Sequence, residues 1–280
     1  MEKTLFQSLK MQGTNTPNAP ALAAPNRSPL SYAQLCEQGQ RVVAVLNQLR
    51  IGRNDRVALV LPDGPEMVVA FCAVATGAAA APLNPAYRES EFEFYLSDLQ
   101  AKAVVVLSNV DSPARQVAQK LAIPVLELTP SLSEPAGIFT LSLSGELLES
   151  ASEPLFSQAD DLGFVLHTSG TTARPKLVPC TQTNLMAGAS LTGQAYNLGT
   201  NDRYLCIMPM THTHALITML TTLVTGGTLF ATPKFEATQF FDWFKAFDPT
   251  WYSAAPTLHQ AILQQAPEHL DILSEHSLRF

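Results

Sequence analysis

A short segment in the second half of the chain, residues 168–176, carries the residue types that bind a polyphosphate. It reads Thr-Ser-Gly-Thr-Thr-Ala-Arg-Pro-Lys, so hydroxyl side chains and a glycine precede two cations, Arg174 and Lys176. Hydroxyls and backbone N–H groups donate hydrogen bonds to phosphate oxygens, while cations offset the phosphate charge. The segment lacks the closing Gly-Lys-Ser/Thr of a Walker loop, and the chain contains no GxGxxG fingerprint. The sequence therefore predicts a nucleotide triphosphate site of another design. The residues expected at the phosphates are Thr168, Ser169, Gly170, Thr171, Thr172 and Lys176.

A histidine pair, His212 and His214, forms a second candidate site within the sequence Pro-Met-Thr-His-Thr-His-Ala-Leu at residues 209–216. The pair lies between a predicted strand and a predicted helix, and side chains at the end of a strand project to where open α/β folds bind ligands. An isolated His-x-His pair more often satisfies hydrogen bonds in a core, and its spacing also suits a metal ion. No third ligand is apparent in the sequence, so we predict no metal site.

Residues 168–177 resemble the signature loop of the adenylate-forming superfamily, Ser/Thr-Ser-Gly-Thr-Thr-Gly-x-Pro-Lys-Gly, which is found in acyl-CoA synthetases, luciferases and peptide-synthetase adenylation domains. Two residues depart from it, because Ala173 and Leu177 stand where the family has glycine. If the glycine at 173 is left-handed in the family, Ala173 costs about 1–2 kcal/mol there, which predicts weakened nucleotide binding. Leu177 adds bulk beside Lys176, and we expect it to pack into the helix that follows.

The histidine segment resembles a second signature of this superfamily, Pro-x-x-His-x-aromatic-Gly, which borders the carboxylate substrate. The resemblance implies that His212 lies near the acyl group and that His214 takes the aromatic position, so both are expected on the substrate side. Residues 249–263 look like the segment that precedes the acyl pocket. In detail they are most similar to the oxalate–CoA ligase branch, as are His167 and Arg174.

The resemblance implies an AMP-forming acid–thiol ligase. ATP, with Mg²⁺, would activate a small carboxylic acid as an acyl-adenylate, and coenzyme A would accept the acyl group, with Lys176 and His212 as catalytic residues. The resemblance covers the front half of the family's length, so the adenine loop, the Mg²⁺-binding glutamate and the C-terminal domain would follow Phe280. We therefore expect an N-terminal fragment that is inactive alone and pairs with the remaining C-terminal half. Two alternatives stay open: a degenerate nucleotide-binding or adaptor module without catalysis, and an adenylation domain that loads a carrier protein.

The elements that must position these sites alternate between helices and short apolar strands, which is typical of a parallel sheet covered on both faces. A capping box, Ser31 with Gln34, opens the first predicted helix, which ends near Gly52. The further predicted helices are 65–76, 89–99, 113–121, 181–196, 214–224, 237–247 and 257–265. The predicted strands are 56–61, 103–107, 124–128, 138–143, 162–167, 204–208, 228–231 and 250–253, with a strand at 277–280 implied by the resemblance.

This pattern predicts an α/β fold of doubly wound, mostly parallel sheets with flanking helices, the incomplete N-terminal domain of an adenylate-forming enzyme. Residues 129–158 are rich in Ser, Glu and Pro and are interpreted as an irregular joint. We expect one α/β subdomain over residues 1–155 and a similar one, which carries the phosphate loop, over residues 156–280.

The composition of the chain argues against several classes of protein. The chain has 280 residues with 46% hydrophobic residues, a net charge of -7 and a pI near 5.3, which favours a globular protein and argues against nucleic acid as a partner. Its four cysteines are far apart, and no signal peptide opens the sequence, so we expect a cytoplasmic protein. The uncharged stretches 67–83 and 204–233 are broken by glycine and proline, and no membrane span is predicted.

Overall fold

A computed structural model describes residues 4–150, 152–168 and 175–280. The helices in this part of the chain are α1 (Leu5–Asn15), α2 (Tyr32–Gln48), α3 (Pro65–Gly77), α4 (Glu89–Leu99), α5 (Pro113–Lys120), α6 (Gln182–Ala195), α7 (Thr213–Thr225), α8 (Ala237–Phe247), α9 (Pro256–Gln265) and α10 (Leu270–Ser274). The strands are β1 (Pro20–Ala23), β2 (Leu30–Ser31), β3 (Arg56–Val60), β4 (Ala79–Pro82), β5 (Ala103–Leu107), β6 (Val125–Pro130), β7 (Phe139–Leu143), β8 (Glu146–Leu147), β9 (Leu162–Thr168), β10 (Lys176–Thr181), β11 (Arg203–Cys206), β12 (Thr228–Ala231) and β13 (Trp251–Ser253).

The described strands form two sheets. The larger has the order β10-β9-β4-β3-β5-β6-β7-β8, and its central strands from β9 to β6 are parallel. The smaller has the order β13-β11-β12-β1-β2, in which only the β1 and β2 pair is antiparallel. Parallel strands such as β3 and β5 are almost wholly apolar and buried, as strands covered on both faces must be.

Helices cover both faces of each sheet, and the core is divided accordingly. The largest apolar cluster lies between the two sheets and contains buried residues of α1, α2, α3, α6 and α7. A second cluster joins the outer face of the larger sheet to α4 and α5, and a third joins the outer face of the smaller sheet to α8 and α9. The order of layers is therefore helix, sheet, helix, sheet, helix.

The predicted alternation is confirmed along most of the chain, and the α/β fold class with it. Strand β5 and helices α4 and α8 begin and end at the predicted residues. The capping box is also confirmed, since the Ser31 Oγ accepts a hydrogen bond from the Gln34 N–H at 3.3 Å while the Gln34 side chain accepts one from the Ser31 N–H at 2.9 Å. A helix start is encoded within a few residues, so local sequence suffices to predict it.

Strand β10 corrects the prediction for the segment after the phosphate loop. Lys176 begins this strand, which pairs antiparallel with β9 before α6 starts. Leu177 therefore lies in a strand and packs against the cluster formed with α4 and α5, and the prediction that it packs into the following helix was wrong. Strands β1 and β4 were also not predicted, because neither is a run of β-branched residues and β4 is simply Ala-Ala-Ala-Pro.

The two sheets exchange strands across the subdomain boundary expected at residues 155 and 156. Strands β1 and β2 come from the first segment but belong to the smaller sheet, while β9 and β10 come from the second segment but belong to the larger sheet. The stretch interpreted as an irregular joint contains β7, as predicted, and β8. Within the described residues, no helix is both long and apolar enough to cross a membrane.

Candidate functional site

The base of the predicted phosphate loop is an antiparallel hairpin. Thr168 ends β9, Lys176 begins β10, and the two residues are direct partners across the pair. Both are exposed at the carboxyl end of β9. Residues 169–174 lie outside the described residues, so the predicted phosphate contacts of Ser169, Gly170, Thr171 and Thr172 remain predictions. The hairpin brings the Lys176 backbone next to Thr168, which places one predicted cation at the entrance of the loop.

His167 fixes the end of β9 to helix α4, which covers the outer face of the larger sheet. Its Nε2 lies 2.9 Å from the Asp98 Oδ2 of α4, and its side chain is 5% exposed. The Tyr95 ring packs edge-on against the imidazole, with ring centroids 4.7 Å apart. In this structure His167 therefore packs against α4 and anchors the end of β9.

The histidine segment follows β11 of the smaller sheet and begins helix α7. His212 is the N-cap residue of this helix, with φ of -103° and ψ of 137°. Its backbone N–H donates to the Pro209 oxygen at 3.1 Å, which closes a four-residue turn, and its carbonyl accepts from the Leu216 N–H at 3.2 Å. The imidazole is exposed. The imidazole makes no capping hydrogen bond to the first turn of α7, so it is free of the role that an N-cap side chain usually has.

His214, in the first turn of α7, is held from the other side by β13. Its Nε2 lies 2.6 Å from the Oγ of Ser253, the last residue of that strand. Strands β11 and β13 are parallel neighbours, so their carboxyl ends meet at one edge of the smaller sheet. The two histidines predicted on the substrate side are therefore both found at this edge.

Asp63 links the histidine segment to the larger sheet. This residue follows β3, is half-buried, and its Oδ1 accepts a hydrogen bond from the Met210 N–H at 2.8 Å. Burial raises the pKa of the Asp63 carboxyl above its ordinary value, and the hydrogen bond from Met210 and the nearby His212 offset only part of that effect. In the sequence, Asp63 stands within Pro-Asp-Gly at residues 62–64, which is typical of a turn that ends a strand. A carboxylate at the carboxyl end of a predicted parallel strand was the signal that could have identified it.

The contact between Asp63 and Met210 brings the two predicted sites to one side of the molecule. Strands β3 and β9 are both parallel to β4, which lies between them, so Asp63 and Thr168 share the carboxyl edge of the larger sheet. Two strand spacings separate β3 from β9, which is about 10 Å. The base of the phosphate loop and the histidine segment thus face a common region where the carboxyl ends of both sheets meet.

The Cys206 thiol, which also lies near this site, is buried in the apolar core. Burial raises the pKa of the Cys206 thiol to about 12, so it stays protonated at neutral pH and is a poor nucleophile. Among the described residues, no group of three or more His, Cys, Asp or Glu side chains is placed to hold a metal ion. The described side chains at the carboxyl ends of the two sheets that can hydrogen-bond or carry charge include Lys176, His212 and His214.

Two parallel α/β sheets with a hydroxyl-rich loop and paired histidines at their carboxyl ends define a class of α/β proteins that bind a ligand at strand ends. The chain belongs to the family of AMP-binding enzymes, since the model of that family matches residues 9–280. The resemblance drawn from the loop and the histidine segment is thereby confirmed at the level of the family.

Three similar proteins place the chain within the family. It is 37% identical to an oxalate–CoA ligase of Arabidopsis thaliana over 95% of this chain and 52% of the relative. It is 26% identical to a dimodular nonribosomal peptide synthase of Bacillus subtilis over 95% of this chain and 11% of that protein. The crystal structure of ATP-bound MatB from Rhodopseudomonas palustris superposes with a TM-score of 0.80 at 27% identity, over 94% of this chain and 51% of MatB.

The chain spans about half the length of the oxalate–CoA ligase and of MatB. The similarity therefore establishes the family and the fold of this region. The reaction of a whole enzyme, with its substrates and acceptor, is a proposal.

Proposed function

We propose that this chain forms the N-terminal part of an ATP-dependent carboxylic acid–CoA ligase. The observation that carries the proposal is the placement of Thr168 and Lys176 as partners at the base of a loop with the family's phosphate-binding sequence. The similarity to an oxalate–CoA ligase over nearly the whole chain supports the same class of reaction. The acid expected is small, because the substrate side carries the polar histidines His212 and His214.

In the proposed first step, a carboxylate oxygen attacks the α-phosphorus of ATP and pyrophosphate leaves, which produces an acyl-adenylate. The loop residues and Lys176 hold the phosphates and offset their charge, while His212 and His214 orient the acid. Catalysis of this kind depends on positioning and electrostatics. In the second step, the thiol of coenzyme A attacks the activated carbonyl, forms the thioester and releases AMP.

Mg²⁺ would neutralise phosphate charge in the first step. The described residues do not group into a donor set for it, so we assign no Mg²⁺ ligand in this chain. The roles proposed for residues of this chain do not depend on a Mg²⁺ ligand: Lys176 supplies positive charge at the loop, and His212 faces the acid.

Isotope exchange tests the proposal. The chain, expressed with any coding sequence that follows Phe280, is incubated with ATP, Mg²⁺, labelled pyrophosphate and a panel of small carboxylic acids that includes oxalate. We expect label to enter ATP only when the correct acid is present, because formation of the adenylate is reversible. The proposal would be refuted if a folded protein of the complete family length showed no exchange with any acid in the panel.

A second candidate function is an adenylation domain that loads a carrier protein, which the similarity to the dimodular peptide synthase favours. Both functions begin with an acyl-adenylate, so exchange does not separate them. The acceptor does: a ligase transfers the acyl group to free coenzyme A, whereas an adenylation domain transfers it to the phosphopantetheine of a carrier protein. A degenerate module, as Ala173 and Leu177 would suggest, performs neither transfer.

A further inference from the structure

We propose that Asp63 is a positioning residue for the candidate site. Its carboxylate holds the turn that carries His212 against the carboxyl end of β3. This inference rests on the proposed function, in which His212 borders the acid. Neither residue type nor spacing assigned any role to Asp63 beyond a turn.

The geometry of the turn explains how a single carboxylate can place His212. Residues 209–212 form a turn closed by the hydrogen bond from the His212 N–H to the Pro209 oxygen at 3.1 Å. Met210 is the second residue of that turn, its side chain is 2% exposed, and its N–H points to the Asp63 Oδ1 at 2.8 Å. A turn that is tied at its second residue cannot rotate about the end of β11. The direction in which His212 leaves the turn is therefore fixed relative to β3.

The contact joins residues that are 147 positions apart and belong to different sheets. Asp63 and Gly64 line a small cavity together with Cys206, Met210 and Thr232, so the carboxyl ends of β3, β11 and β12 converge there. An aspartate that served only its own turn would accept hydrogen bonds from neighbours in the sequence, as Asp55 does from the Gly52 N–H at 3.0 Å. Asp63 instead accepts from the other sheet.

An ionised Asp63 makes the folded protein less stable than a neutral side chain at this position would, which favours a functional role for its charge. Burial raises its pKa in the folded protein. A carboxyl with a raised folded pKa contributes stability that is complete below its unfolded pKa and is lost as pH rises through the folded value. At pH 7 the ionised group is therefore less favourable in the fold than a neutral one. An asparagine could accept the same hydrogen bond from Met210 without that cost.

A carboxylate holds the turn more firmly than an amide would. A hydrogen bond from an N–H to an ionised oxygen is shorter and roughly twice as strong as one to a neutral oxygen. The Asp63 carboxylate therefore fixes the Met210 N–H, and with it the turn that leads into His212, more firmly than an asparagine could.

The test compares Asp63→Asn and Asp63→Ala with Asp55→Asn. The control is matched, because Asp55 lies at the other end of β3 and also accepts a backbone N–H. In the 280-residue chain we expect Asp63→Asn to leave the midpoint of urea unfolding at pH 7 unchanged or higher. Nuclear magnetic resonance should show that the Met210 amide proton in Asp63→Asn stays hydrogen-bonded, but that its chemical shift no longer follows the titration of a carboxyl between pH values of about 3 and 7.

The activity of a longer protein provides a second measurement. With any coding sequence that follows Phe280, we expect Asp63→Asn to raise the KM for the acid by about tenfold while the KM for ATP changes little. Asp55→Asn should change neither KM. Asp63→Ala, which also removes the acceptor, should broaden the amide signals of residues 210–212; failure of this variant to fold would leave the asparagine comparison intact.

A Met210 amide proton whose chemical shift depends on pH equally in the unaltered chain and in Asp63→Asn would overturn the proposal, and so would an unchanged KM for the acid. The resonance measurement needs neither ATP nor acid, so it separates the two proposals. Loss of the pH dependence in a protein that shows no pyrophosphate exchange would uphold the positioning role while the proposed function fails. Pyrophosphate exchange together with an unaltered pH dependence of the Met210 amide would have the opposite meaning.

Discussion

The Nε2 of His214 lies 2.6 Å from the Oγ of Ser253, which joins the first turn of α7 to the end of β13. The two residues are 39 positions apart, and parallel pairing of β11 with β13 brings them to one edge of the smaller sheet. The hydrogen bond sets the orientation of an exposed imidazole that would otherwise rotate. Ser253 is therefore the residue that sets the orientation of the His214 ring.

Ser253→Ala should impair use of the acid without affecting ATP. Loss of the hydroxyl frees the His214 ring, and a single neutral hydrogen bond contributes about 1 kcal/mol, or roughly fivefold. We expect the KM for the acid to rise by about that factor, while the KM for ATP stays the same. Initial rates of pyrophosphate exchange at varied acid and ATP measure both constants.

The control for this variant is Ser274→Ala, which removes the hydroxyl of an exposed serine in α10 that donates only to the nearby Asp271 carbonyl among its described contacts. It should leave both constants unchanged. A rise in the KM for ATP that equals the rise for the acid would show that Ser253 supports the whole site and not His214 alone.

Lys176→Ala should weaken binding of ATP. Lys176 is exposed at the start of β10, next to Thr168 at the base of the loop. A hydrogen bond between charged groups contributes about 1.5–3 kcal/mol, so we expect the Kd for ATP to rise roughly 10- to 100-fold. Isothermal titration calorimetry on the folded chain measures this change.

Lys102→Ala is the matched control for the lysine, because Lys102 is also exposed but precedes β5 at the amino edge of the same sheet. Its removal changes the net charge equally and should leave the Kd within about twofold. Equal losses of affinity in the two variants would mean that ATP responds to the overall charge of the protein, and the assignment of Lys176 to the phosphates would be wrong.

Ala173→Gly should strengthen binding of ATP. This prediction comes from the sequence, since residue 173 lies outside the described residues. If the loop needs a left-handed backbone there, glycine removes a cost of about 1–2 kcal/mol, which corresponds to roughly a 5- to 30-fold lower Kd. Titration of both proteins with ATP decides it. An equal or weaker affinity of the glycine variant would show that Ala173 fits the loop without strain.

Asp161→Asn should make the free energy of unfolding less dependent on pH in the acidic range. Asp161 precedes β9, and its carboxylate accepts hydrogen bonds from the Arg53 Nε at 2.5 Å, the Gln158 N–H at 2.7 Å and the Asn54 Nδ2 at 2.8 Å. Burial alone would raise the pKa of Asp161, but these hydrogen bonds outweigh it and hold the pKa below its ordinary value. A lowered folded pKa gives stability that is present above the unfolded pKa and is lost as pH falls through the folded value.

We therefore expect Asp161→Asn to lower the free energy of unfolding by about 1–2 kcal/mol at pH 7, and the difference to shrink as pH falls below about 4. Urea unfolding at several pH values measures the effect. Asp160→Asn, at the exposed neighbouring position, serves as the control and should change little. A deficit in Asp161→Asn that stayed constant between pH 7 and pH 3 would exclude the ionised carboxylate as its cause.

The 280-residue chain should bind ATP but form no acyl-adenylate. The chain spans about half the length of the oxalate–CoA ligase, and the resemblance implies that the adenine, ribose and magnesium contacts lie in the other half. Hydroxamate trapping detects an adenylate as soon as it forms, and we expect no signal above a blank without enzyme. Product from the purified chain with any small acid would show that its own residues suffice for the first step.

Local sequence determined the elements whose signals lie within a few residues. The capping box at Ser31 and the apolar strand β5 could both be predicted, because caps and buried strands depend on neighbouring side chains. The family could be identified for the same reason. Strand β10 was missed because its residues pair only with β9, and Pro179 within it disguises an edge strand.

Tertiary structure alone decided which distant residues meet. Nothing in the turn after β3 indicates that Asp63 accepts the Met210 N–H, and nothing near Ser253 indicates that it reaches His214. These contacts arise because strands far apart in sequence become neighbours, and strand order is set by packing of the sheets against shared helices. The sequence thus determined the loop, the histidines and their family, whereas the order of the strands determined which residues hold the histidines in place.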